Sequence, residues 1–346
     1  MGMSDGATLK TVLKRGALIA AANWPLVLIE FVTDTTFKGL FAVPIIGATV
    51  LVGMLLGGDI GSILQGSLRD AVTTVAGALM AQPIALGSFV VAFLLVLIGG
   101  SVLTFFVKGG TVTVLVGGDA VAGPVERPPL RMATLRRADR FSLDGFTGGC
   151  LRMFRPFLTL GLLLMAVYVV SGGVYLFVVY AAYTSMGHRT LLLGWPLLAA
   201  AAALVLAVWI TLANLLYLLT QVALVAGTGG RSVRAAMAAV AGFVRQDFRE
   251  IAAVFGVVLV LVVLATVASA LAWSGVGLIA FVPFVGIAVL PLQLAGLVVR
   301  GVVFEYLELT ALSAYVALFR SYIQRAAGGP APDPMSGVAP PVGRTA

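Results

Sequence analysis

Charged side chains are so sparse along this chain that the gaps between them set its plan. Uncharged stretches cover residues 16–29, 39–58, 71–107, 156–188, 190–230 and 251–299, with lengths of 14, 20, 37, 33, 41 and 49. A helix rises about 1.5 Å per residue, so about 20 apolar residues cross a hydrocarbon layer of roughly 30 Å. Every stretch but the first therefore holds one crossing, and the last has length for two. Ser274, Gly275, Val276 and Gly277 divide that last stretch, because glycines turn a chain at little steric cost. The predicted spans are 39–57, 84–107, 157–182, 196–226, 251–273 and 278–300.

The segments between spans carry a second pattern. If both termini are cytoplasmic, segments 1–23, 108–156, 227–250 and 320–346 hold 18 of the 22 Lys and Arg, and the opposite segments 58–83, 183–195 and 274–277 hold 2. That bias satisfies the positive-inside rule with six crossings. A seventh would carry the dense cluster Arg127, Arg131, Arg136, Arg137, Arg140, Arg152 and Arg155 to the outside. Three of the inner segments also share an amphipathic motif. Leu9, Val12, Gly16 and Ala20 form one apolar stripe, Leu143, Phe146, Cys150, Met153 and Phe157 a second, and Val233, Met237, Val240, Val244 and Phe248 a third. Spacings of three and four place each set on one helical face, with the basic residues on another, as suits a helix in the headgroup plane. Each stripe ends in a polar or aromatic knot: Asn23-Trp24-Pro25, Phe154-Arg155-Pro156 and Asp247-Phe248-Arg249. The predicted fold is thus an all-α polytopic membrane bundle. Its six transmembrane helices form three hairpins, each preceded by a cytoplasmic interfacial helix, within one integral membrane domain over 1–325. Residues 109–129 read as a loop with a trace of strand, and 326–346, rich in Pro and Gly, as a disordered cytoplasmic tail.

Composition agrees. The chain is 60% hydrophobic and 10% charged, with mean hydropathy +1.09, far more apolar than a soluble domain of about one quarter charged residues. A net charge of +8 is expected of cytoplasmic loops and does not call for nucleic acid. One Cys and one His exclude an intramolecular disulfide and any His/Cys metal set, so no cofactor is expected. Cys150 reads as a small buried residue, and His188 as a solvated loop residue. The apolar core after Lys10, Lys14 and Arg15 is only 7 residues long before Asn23, so a cleaved signal peptide is not expected.

The sequences Asn23-Trp24-Pro25-Leu26 and Arg152-Met153-Phe154-Arg155-Pro156-Phe157, with Ala314-Tyr315-Val316-Ala317-Leu318-Phe319-Arg320-Ser321-Tyr322, resemble a broad bacterial family. This is the integral membrane proteins related to the membrane domain of glycerophosphoryl diester phosphodiesterases. The resemblance implies a multispanning helical protein. It carries over no catalytic residues, since the chain has no room for the barrel domain of about 250 residues that some relatives bear.

Candidate functional residues fall in two groups. Arg137, Arg140, Arg152, Arg155, Arg234, Arg245 and Arg249 lie beside the amphipathic stripes, where each basic side chain near an anionic surface gains about 1 kcal/mol. Orientation of the chain accounts for the same charges, and the sequence does not choose between the two. Glu30, Asp34 and Lys38, at i, i+4 and i+8, share a face, and Gln293 sits between Pro291 and Gly296 in the last span. A first span starting after Pro25 takes those three charges into the bilayer, and one starting at Gly39 leaves them at the surface. The expected function is a non-enzymatic protein of a bacterial inner membrane, membrane-organising or partner-binding, that contacts anionic lipid. The alternative is a transporter or lipid-handling permease using the intramembrane charges, in which neutralising Asp34 abolishes transport by a folded, membrane-resident protein.

Overall fold

The computed structural model describes residues 9–56, 77, 80–122, 136, 138–185, 194–227, 232–280 and 285–326. Seven long helices account for them: α1 (Leu9–Ala22), α2 (Trp24–Leu56), α3 (Pro83–Val121), α4 (Leu143–Ser185), α5 (Gly194–Ala226), α6 (Val233–Ala280) and α7 (Val285–Ala326), with no strand among the described residues. The protein is all-α. Five helices are long and apolar enough to cross a membrane, and α1 with α2 makes a sixth if that pair, bent by 79°, counts as one span. Val169, Phe177, Leu204 and Val205 on α4 and α5 are exposed. Apolar surface on that scale calls for an apolar solvent.

The chain forms two compact units, one of Ile29–Val107 and the other of the sequence on either side, up to Leu28 and from Lys108. In the smaller unit α2 and α3 run antiparallel. Phe41 meets Phe93 at 4.8 Å between ring centroids, and Phe37 lies on Gly100, where a Cβ would come within 1.9 Å of its ring. Phe37 and Phe89 extend the aromatic row at 5.9 and 6.0 Å.

In the larger unit α4 and α5 also run antiparallel, since their hydrogen-bonded pairs progress in opposite directions. Tyr168 donates to Asn214 Oδ1, Trp209 Nε1 to Ser171 Oγ at 2.9 Å, and Trp195 Nε1 to the Val179 carbonyl at 3.2 Å. The core of this unit gathers around α7, which packs on α1, α5 and α6. Ile19, Leu115, Phe157, Val222, Phe243 and Phe319, from six different helices, are fully buried. α1 lies on α7 at Gly16, where a Cβ would stand 2.5 Å from the Thr310 carbonyl, and the Tyr306 hydroxyl donates to the Ala17 carbonyl at 3.0 Å. Gly110 plays the same part between α3 and α4, because a Cβ there would meet Cys150 Sγ at 2.5 Å. Glycine permits these backbones to approach as a larger residue would not.

Two expectations fail. Residues 109–121 belong to α3: Val112, Val114 and Leu115 are buried, and packing outweighs the β-like alternation and the glycines that suggested a loop. The remaining residues of that loop, 123–129, lie outside those described. Helix α6 continues through Ser274–Gly277 to Ala280. In an apolar solvent a chain keeps its backbone hydrogen-bonded through glycines that would end a helix in water. Residues 24–38 are continuous with 39–56 in α2, a helix that contains both candidate starting points of the first span. The tail from 327 also lies outside the described residues.

Candidate functional site

The basic residues of the larger unit divide into those bound to a carboxylate and those left outward. Asp119, 4% exposed near the end of α3, accepts from two helices at once. Arg15 Nε of α1 donates to Oδ1 at 2.5 Å and a terminal nitrogen to the Asp119 carbonyl at 2.8 Å, while Arg320 of α7 donates to Oδ2 at 3.0 Å. The second carbonyl contact also satisfies an acceptor in the last turn of α3, where helix carbonyls lack partners. Asp247 in α6, also buried, takes Arg325 of α7 at 2.7 Å. Charges this far from water persist only when paired and hydrogen-bonded, and both carboxylates are.

Asn23 completes this end. Fully buried at the break between α1 and α2, its Nδ2 donates to the Ile19 and Ala138 carbonyls, each at 2.9 Å. Its Oδ1 accepts from the Arg140 backbone N–H at 3.0 Å. Residues 138–140 are thereby held against α1, over Gly118, where a Cβ would meet the Ala138 carbonyl at 3.0 Å. Helix α4 then begins with Ser142 as its cap, accepting from the Gly145 N–H at 3.2 Å.

The outward group contains the predicted lipid contacts. Arg140, Arg152, Arg155, Arg234, Arg245 and Arg249 are exposed, and none has a side-chain hydrogen bond or ion pair among the described residues; Arg137 lies outside them. On α6 the inward face is Ala236, Val240, Phe243 and Asp247. At 100° per residue, Arg234, Met237, Ala241, Arg245 and Phe248 share the opposite face, and Phe248 is 63% exposed. On α4 the inward face is Phe146, Cys150, Met153 and Phe157, and the outward face pairs Leu151, 72% exposed, with Arg152 and Arg155. Guanidinium groups beside exposed apolar side chains match the boundary between headgroups and acyl chains.

In the smaller unit, Glu30 is buried and Asp34 forms an ion pair with Lys38 at 2.5 Å on an exposed face of α2. Gln293 is half-buried on α7. Sequence reading missed a second ion pair in apolar surroundings, Lys108 of α3 with Glu308 of α7 at 2.6 Å. It also missed the role of Asp119, because a loop aspartate carries no signal of burial. No group of three or more potential metal ligands occurs among the described residues. No protein family, curated protein or solved structure matches the chain.

Proposed function

We propose that this is a non-enzymatic, six-span protein of a bacterial inner membrane, with both termini cytoplasmic and three hairpins each led by an interfacial helix. It organises membrane, or binds a membrane-protein partner, through anionic lipid held on its outward arginines. The same reading makes it a relative of the glycerophosphoryl diester phosphodiesterase membrane-domain proteins. One observation carries it: Arg152, Arg155, Arg234 and Arg245 are exposed beside exposed apolar side chains, without protein partners among the described residues. Orientation alone requires the charges but not the apolar residues that share their faces.

Lipid extracted with the protein in native nanodiscs tests it. Phosphatidylglycerol and other anionic lipids are expected to be enriched over the bulk membrane. Changing the four arginines to Gln removes about 1 kcal/mol of attraction per site and should bring that enrichment to the bulk ratio. Bulk composition around the unmodified protein would refute the proposal.

A further inference from the structure

A cleft of about 200 Å³ opens between α1, the second half of α6 and α7. Leu9, Val12, Ala253, Val254 and Leu318 make its apolar wall, and Arg249 and Glu250 add one positive and one negative group. It is several times the roughly 30 Å³ that a water occupies, yet smaller than the pockets of about 300–1,000 Å³ that enclose whole ligands. A headgroup with the start of one chain suits that size. Neither the Arg249 nor the Glu250 side chain has a hydrogen bond or ion pair among the described residues, and both residues are exposed.

Backbone geometry adds to the charge. At Asp247, with φ −114° and ψ 27°, the helix breaks and restarts. Arg249 and Glu250 therefore lie in the first turn of a long new helix, where the dipole presents its positive end. A phosphate is favoured beside Arg249, but a purely anionic lipid would place its negative headgroup next to the Glu250 carboxylate. A zwitterion resolves the conflict. We infer that this cleft binds a phospholipid whose headgroup carries both a phosphate and a primary ammonium, the phosphate on Arg249 and the ammonium on Glu250, with the proximal chain along Leu9 and Ala253. The inference rests on the proposed function in taking this end of the bundle to lie at headgroup level, and it adds a site whose selectivity differs from that of the outward arginines.

The test uses the full-length protein reconstituted with equal amounts of phosphatidylethanolamine, phosphatidylcholine and phosphatidylglycerol. Native mass spectrometry reads the lipids that remain bound. Phosphatidylethanolamine should be retained over phosphatidylcholine by about tenfold, the worth of one charge-assisted hydrogen bond that a trimethylated ammonium cannot donate. E250Q should abolish that preference while both lipids still bind, R249Q should lower retention of both, and A253F should block the cleft with its charges intact. Equal retention of the two lipids by the unmodified protein, or an unchanged preference in E250Q, overturns the inference. Phosphatidylglycerol retention in the same samples reports on Arg152, Arg155, Arg234 and Arg245 separately, so failure of the cleft and failure of the anionic-lipid reading give different results.

Discussion

A carboxylate held between two guanidinium groups loses most when one side of the balance is removed. In Asp119→Asn, the carboxylate shared by Arg15 and Arg320 is lost while both guanidinium groups keep their charge. Breaking a buried pair in this way costs about 3–5 kcal/mol. The variant should show a clearly lower Tm in detergent than the parent, and so should Arg325→Gln, which takes the guanidinium from the buried Asp247 carboxylate. Equal Tm values for Asp119→Asn and the parent would mean that the triad contributes no net stability. Little of this was legible beforehand. Sequence spacing locates pairs within one helix, as it located Asp34 and Lys38, but Asp119 meets residues 104 and 201 positions away. Only the fold brings those together.

At the scale of elements, the three knots that look alike in sequence behave differently. At Asn23 the chain turns between two helices, at Asp247 one helix kinks, and at Pro156 helix α4 continues. Asn and Asp carry short polar side chains that compete with the helical backbone, and both here are buried with partners from elsewhere in the chain. Pro156 removes one N–H and offers no such competitor, so α4 tolerates it. The stripes were legible to the same extent. Val12, Gly16, Phe146, Cys150, Met153 and Phe157 face inward as their spacing predicts, whereas Leu9 and Leu143, which open the first two stripes, and Met237 and Phe248 of the third face outward. That helix has two apolar faces, and periodicity alone does not say which one meets protein. Close helix contact gives a further prediction in the smaller unit. Gly100→Ala places a methyl on the Phe37 ring and, by overpacking, should cost about 1–3 kcal/mol. Adding Phe37→Ala should recover part of that loss, giving a favourable coupling in a double-mutant cycle of thermal unfolding; additive losses would place the ring elsewhere.

At the scale of the whole molecule, the number of crossings turns on α1 and α2. Among the described residues five helices are long and apolar enough on their own, and the bent pair makes a sixth if it counts as one span. With six crossings both termini share the side of the arginine-rich segments. With five, α2 stays on the outer side and the amino terminus lies there too. A single cysteine at Lys10 therefore separates the two, and Cys150, being buried, can be replaced by Ser to give a background without thiols. Cysteines at Asp70 and Arg189 should react with an impermeant maleimide from outside, and those at Arg137 and Arg234 only after the membrane is opened. If the first span crosses, Lys10→Cys joins the second group. Labelling of Lys10→Cys from outside would instead move Lys10, Lys14 and Arg15 away from the basic face. It would also set Arg15, which the fold binds to Asp119 and hence beside Arg320, against the charge bias that orients the rest of the chain. The ion triad and the positive-inside rule thus make the same demand on α1 from independent physics, and one accessible thiol tests both.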